Sequence, residues 1–127
     1  MIAVDTSVWI DFFRGRAPAV EKLLSLLDRD EVALPVPVRI EILSGARKSE
    51  RQRLVRVLSA LPVLYPTEAL WRRIDGWVAE GAAAGQRFGV GDLLVAALAV
   101  EHDCALWSLD GVFTRMARLR MVTLADF

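Results

Sequence analysis

Short apolar runs alternate along this chain with longer segments in which apolar residues recur at helical spacing, and that alternation narrows the fold more than any other feature. Ile2 to Val4, Val32 to Leu34, Val63 and Leu64, Ala105 to Leu109, and Met121 to Thr123 read as strands. Between them lie helical stretches. Val20, Leu23, Leu24 and Leu27 share a spacing, as do Leu54, Val57, Leu58 and Leu61, and then Leu70, Ile74, Trp77 and Val78. Prolines punctuate the pattern: Pro18 and Pro37 suit first turns of helices, and Pro62 with Pro66 brackets a strand suited to a sheet edge. Residues 81–89 read as a loop. Strands separated by helices predict a mostly parallel sheet covered on both faces, a three-layer α/β sandwich built as one domain over residues 1–127.

Such a sheet places the carboxyl ends of its strands on one side, where open α/β folds bind ligands. Two acids end strands: Asp5 follows Ile2 to Val4, and Asp110 follows Ala105 to Leu109. Thr6 or Ser7 supplies a hydroxyl to cap the helix that begins there. Glu41 stands inside an apolar helix between Ile40 and Ile42, and Asp92 opens the nearly all-apolar stretch Leu93 to Val100. Their helical neighbours are mostly small, which leaves room above each acid. Each acid has an ordinary reading of its own: a cap for Asp5, solvent exposure for Glu41, a helix-dipole partner for Asp92, a turn residue for Asp110. Taken together, four carboxylates at one sheet edge would repel and raise one another's proton affinity. Divalent cations relieve that repulsion, and an all-oxygen set suits Mg²⁺ or Mn²⁺.

Composition removes other chemistries. One cysteine, Cys104, and one histidine, His102, exclude a Cys/His zinc site and an internal disulfide framework. Sixteen basic and sixteen acidic side chains give zero net charge, so contact with a nucleic acid must come from local clusters. Arg14, Arg16, Arg39, Arg47 and Lys48 flank the segments carrying Asp5 and Glu41 and are the candidates for phosphate contact; ordinary solvated charge is their alternative reading. The longest charge-free apolar stretch falls far short of the roughly 20 residues of a membrane span, and the single thiol suits a reducing compartment, so a cytoplasmic protein is expected.

Four segments in order resemble the PIN domain, and specifically the VapC-type ribonuclease toxins of toxin–antitoxin pairs. They are Val4-Asp5-Thr6-Ser7, the stretch Val38 to Gly45 around Glu41, Gly91-Asp92-Leu93-Leu94-Val95-Ala96-Ala97, and Leu106 to Phe113 around Ser108 and Asp110. The resemblance spans residues 2 to about 123. It implies a five-stranded parallel sheet of order 3-2-1-4-5, with Asp5, Glu41, Asp92 and Asp110 as catalytic ligands of Mg²⁺, Mn²⁺ being accepted as well. Ser7 and Ser108 would support the pocket, Ser108 replacing the threonine common there. It further implies endoribonuclease activity through a metal-activated water, an RNA substrate, homodimerisation, and inhibition by a cognate antitoxin protein. The alternative is a catalytically inactive PIN fold that binds RNA or a protein. A phosphatase with an Asp-x-Asp start is disfavoured by Ser7, and a dinucleotide-binding fold by the absence of glycines after the first strand.

Overall fold

A computed structural model describes residues 1–127 and shows four strands in one parallel sheet of order β3-β2-β1-β4. The first, β1 (Ile2–Val4), lies between β2 (Val32–Pro35) and β4 (Ala105–Trp107), with Ala3 opposite both Ala33 and Leu106. The edge strand β3 (Val63–Leu64) pairs with the end of β2, in the place its flanking prolines suggest. Ala3, Val4 and all of β2 are buried. These strands therefore read as unbroken apolar runs, as expected of a sheet covered on both faces.

Parallel pairing requires crossovers, and the helices supply them. Helices α1 (Thr6–Phe13) and α2 (Ala19–Asp28) connect β1 to β2; α3 (Val36–Ser44) and α4 (Lys48–Ser59) connect β2 to β3. Helices α5 (Glu68–Ala83) and α6 (Val90–Glu101) then carry the chain back past β1 to β4, and α7 (Gly111–Arg118) follows. Helix α6 is apolar nearly all round because it is buried: Ala96, Ala97, Leu98 and Ala99 have no exposed surface. No helix is long and apolar enough to cross a membrane.

The connectivity reverses at β1. Successive crossovers step outward through β2 to β3, and the next returns to the opposite side of β1. The carboxyl end of β1 is thus the switch point of the sheet, and Asp5 is the residue that occupies it.

Several sequence expectations change. The sheet has four strands, not five: Met121 and Val122 are buried, but the backbone near them makes only an isolated bridge, Leu106 to Leu124. Two hydrogen bonds hold it, Leu106 N to Thr123 O at 2.9 Å and Ala125 N to Leu106 O at 2.8 Å, after Arg120 turns the chain through φ 60°. The bridge lies on the outer edge of β4, so the segment occupies the expected fifth place without forming a ladder. Strand β4 ends at Trp107, and Asp110 is the N-cap of α7 rather than a strand terminus. Helix α5 continues to Ala83, through the start of the expected loop. Val57 is exposed while its neighbour Leu58 is fully buried, so that face is narrower than its apolar spacing suggests.

Candidate metal centre

The pocket is organised by Asp5, the only buried charged side chain, at 8% exposure. One of its carboxylate oxygens, Oδ2, accepts two hydrogen bonds, from Ser7 Oγ at 2.9 Å and from Ser108 Oγ at 2.7 Å. Each hydroxyl has one hydrogen, and both are directed at Oδ2. The 3.2 Å approach of the two serine oxygens therefore reflects a shared acceptor, not a further bond. The serine oxygens also accept, from Leu109 N at 2.9 Å and Asp110 N at 3.0 Å, which pins the turn after β4 to the turn after β1. Asp5 Oδ1 receives no hydrogen bond and Asp5 forms no salt bridge. A buried carboxylate with one clamped and one free oxygen is suited to receiving a cation.

Neither Thr6 nor Ser7 caps α1: the N-cap position belongs to Asp5, with no side-chain capping bond. Thr6 Oγ1 is instead buried and without a partner. It lies near enough to Glu41 to favour the charged carboxylate, though the two do not meet in hydrogen-bonding geometry. Asp92 stands in the first turn of α6 behind Gly89, where a Cβ would sit 3.7 Å from Asp92 Oδ2. Asp110 caps α7 by accepting from Val112 N at 3.1 Å through Oδ1. Helices α1, α6 and α7 all begin here, so the positive ends of three helix dipoles offset part of the carboxylate repulsion.

The remaining repulsion is visible in the acids themselves. Burial pushes the Glu41 carboxyl above its ordinary value, the Asp5 charge pushes it further, Thr6 opposes, and Asp92 adds to the rise. Burial likewise raises Asp92, with the charges of Asp110 and then Asp5 adding and Arg115 opposing. Glu41 as a residue is exposed, so its desolvation is partial, and like charge is the removable part of its shift. The four acids thus share one electrostatic environment. They are not packed as a cage: no group of three is gathered closely enough to ligate one ion directly. That spacing fits Mg²⁺ or Mn²⁺, which bind through one or two carboxylates and retain waters that reach the others. The free Asp5 Oδ1 is the polar atom such a hydrated ion would meet.

Raised carboxyl values make the metal-free fold pH-sensitive in a definite direction. Glu41 and Asp92 hold protons more tightly in the folded chain than in the unfolded one. Their contribution to stability is complete below the unfolded values and is lost as pH rises through the folded ones. Melting in chelator from about pH 4 to pH 8 should reveal this loss against the other titrations, and Mg²⁺ should restore stability at the upper end. A Tm that Mg²⁺ leaves unchanged at neutral pH would remove the metal assignment.

The candidate phosphate ligands are dispersed. Arg16 is engaged by Asp11 at 3.3 Å. Arg14 follows the far end of α1, an eight-residue helix about 12 Å long that starts at the pocket. Arg39 is two positions from Glu41, roughly 200° away around α3. Arg47 and Lys48 are exposed beyond the end of α3. The cation that does act on an acid of the pocket is Arg115, which sequence reasoning passed over; its only signal was a place five residues after Asp110.

The family model described as the PIN domain matches residues 2–119. The chain is 34% identical to VapC ribonuclease Mb1587 of Mycobacterium bovis over 134 residues, covering 100% of this chain and 99% of that protein. The chain belongs to the PIN-domain family of VapC ribonucleases. A second relative of this PIN domain, Ribonuclease VapC10 of Mycobacterium tuberculosis, is 33% identical, with 87% of this chain and 83% of the relative covered. Among solved structures, VapBC2 from Rickettsia felis, bound to a promoter DNA fragment, aligns at TM-score 0.80 and 19% identity, covering 100% of this chain and 99% of that one. VapBC-1 from nontypeable Haemophilus influenzae aligns at TM-score 0.78 and 19% identity, covering 99% and 98%. At those identities the structural likeness concerns the fold.

Proposed function

We propose that this protein is a Mg²⁺-dependent endoribonuclease, the toxin of a toxin–antitoxin pair. The observation that carries the reading is Asp5, clamped on one oxygen by Ser7 and Ser108 and free on the other, among three further acids at the switch point of the sheet. Asp5, Glu41, Asp92 and Asp110 would hold Mg²⁺ or Mn²⁺, directly or through water. When bound, the ion supplies Lewis-acid activation of a water and neutralises charge on the phosphodiester. One of these carboxylates would accept the proton that the water releases. Ser7 and Ser108 fix the Asp5 carboxylate, so no reorganisation of that group is needed when the substrate arrives. Arg14, Arg16, Arg39, Arg47 and Lys48 remain candidates for more distant phosphates of the strand.

An antitoxin partner is supported by the structural neighbours, which include a toxin–antitoxin complex from Klebsiella pneumoniae. This chain offers apolar surface for such a partner and for a second copy of itself: Ile10, Phe13 and Ile40 are exposed on α1 and α3, and Trp71 and Val78 on α5. A cytoplasmic site of action follows from an RNA target.

The test is cleavage of a labelled single-stranded RNA by purified protein with Mg²⁺, with Mn²⁺ and with chelator. Cleavage should appear with either ion, stop with chelator and return when the ion is restored. Cleavage indifferent to chelator would exclude the metal mechanism. The alternative is a catalytically silent PIN fold, in which the same acids hold no ion and the chain binds RNA or a protein. Calorimetric titration separates the two readings, because a silent module need bind no Mg²⁺ or Mn²⁺ at millimolar concentration.

A further inference from the structure

Four carboxylates hold cations well and repel a phosphodiester, so a nuclease built on them needs a positive group fixed beside the pocket. The arginines whose side chains are anchored by hydrogen bonds are few. Arg16 is neutralised by Asp11, Arg29 lies 3.7 Å from Glu31, and Arg73 reaches Glu101 at 3.4 Å. Arg115 differs because both of its partners are uncharged. Its Nη1 donates to Gln86 Oε1 at 2.7 Å, and its guanidinium lies over the Phe88 ring, 5.4 Å from the centroid. It is held in place with its charge intact.

The anchors are themselves fixed. Gln86 N donates to Gly81 O at 2.8 Å, closing the turn after α5. A Cβ at Gly81 would lie 3.2 Å from Gln86 O and 3.4 Å from the Phe88 ring, so this glycine permits the turn to fold against the helix. The turn leads directly into α6 and Asp92, while Arg115 rises from α7 behind Asp110. The turn before α6 and helix α7, which flank the acids, are joined by this side chain, and its charge reaches Asp92. With Nη1 committed to Gln86, the Nε and Nη2 edge stays open as a planar two-donor fork, which matches two oxygens of a phosphate.

We propose that Arg115 is the fixed phosphate-binding side chain at the rim of the pocket, held by Gln86 and Phe88 to grip the RNA backbone beside the scissile bond. The proposal rests on the ribonuclease reading above. Gln86 and Phe88 are positioning residues that act through Arg115.

Binding of a fluorescein-labelled single-stranded RNA, followed by anisotropy in chelator over a series of salt concentrations, tests it. Arg115→Ala should weaken binding about tenfold or more and lower the slope of log affinity against log salt by about 0.7, the loss of one phosphate contact to a single strand. Arg115→Lys should keep the slope and recover part of the affinity. Gln86→Ala should weaken binding less and leave the slope unchanged, because the charge remains. With Mg²⁺ present, Arg115→Ala should raise KM by a larger factor than it lowers kcat. Equal losses for Arg115→Ala and Gln86→Ala with the slope unchanged would make Arg115 a tether of the turn and overturn the proposal. Wild-type binding with Arg115→Ala overturns it too, leaving the ribonuclease reading intact. A wild-type chain that neither binds nor cuts RNA overturns both.

Discussion

Asp5→Asn is expected to abolish RNA cleavage, by about a thousandfold or more, while making the metal-free protein more stable. The two effects have one cause. Asparagine keeps the shape of the side chain and can place its amide oxygen where Oδ2 accepts from Ser7 and Ser108. Its NH₂ group then occupies the Oδ1 position and presents hydrogens where the pocket needs a cation ligand. The charge that raises the proton affinity of Glu41 and Asp92 disappears, and both acids should titrate closer to their ordinary values. Melting in chelator at neutral pH should show a Tm at or above wild type, and added Mg²⁺ should no longer raise it. Retained cleavage would remove Asp5 from the mechanism. A large fall in Tm would mean that Asp5 serves the fold and not a cation.

Phe113→Ala should have the largest effect on stability, a loss of about 3–5 kcal/mol in urea unfolding. Phe113 is 1% exposed and stands on the short helix α7 beside fully buried Met116. Removing its ring leaves a cavity that so short a helix can close only by shifting. Against a total of about 5–15 kcal/mol for a domain, such a loss leaves a marginal protein, with Tm lower by roughly 10 °C or more. The same helix begins at Asp110 and carries Arg115, so activity should fall even where most molecules remain folded. Phe113→Leu fills most of the space and should lose much less. A loss under 1 kcal/mol for the alanine variant would show that α7 is held in place by other contacts.

The sheet was legible in the sequence because its strands are buried on both faces, and Ile2 to Val4 or Val32 to Leu34 can be little else. The segment Met121 to Thr123 misleads for a related reason. Met121 and Val122 are apolar because their side chains are buried, and burial does not require a ladder. Val57 and Leu58 are both apolar and 100° apart on α4, and which one faces inward depends on how the helix rolls against its neighbours. At the site, the four acids stood out because carboxylates at strand ends and within apolar helices are chemically out of place. The hydroxyls were harder to assign. Ser7 bonds Asp5 two residues away, a local contact, whereas Ser108 meets the same oxygen across 103 residues. Arg115 was missed because its anchor, Gln86, lies in a stretch with no periodicity of its own.

The long sequence separation of Asp5 and Ser108 has a bearing on how the protein is made. Strand β1 is translated first and occupies the middle of the sheet, yet one of its two neighbours, β4, emerges about a hundred residues later. A nascent chain that has reached α6 can pair β1 with β2 and β2 with β3, but the other side of β1 remains an open edge, and Asp5 lacks the Ser108 hydroxyl. The acidic pocket therefore stays incomplete until nearly the whole chain has left the ribosome. Under the ribonuclease reading proposed above, the order of the strands would delay assembly of the site until the chain is nearly complete.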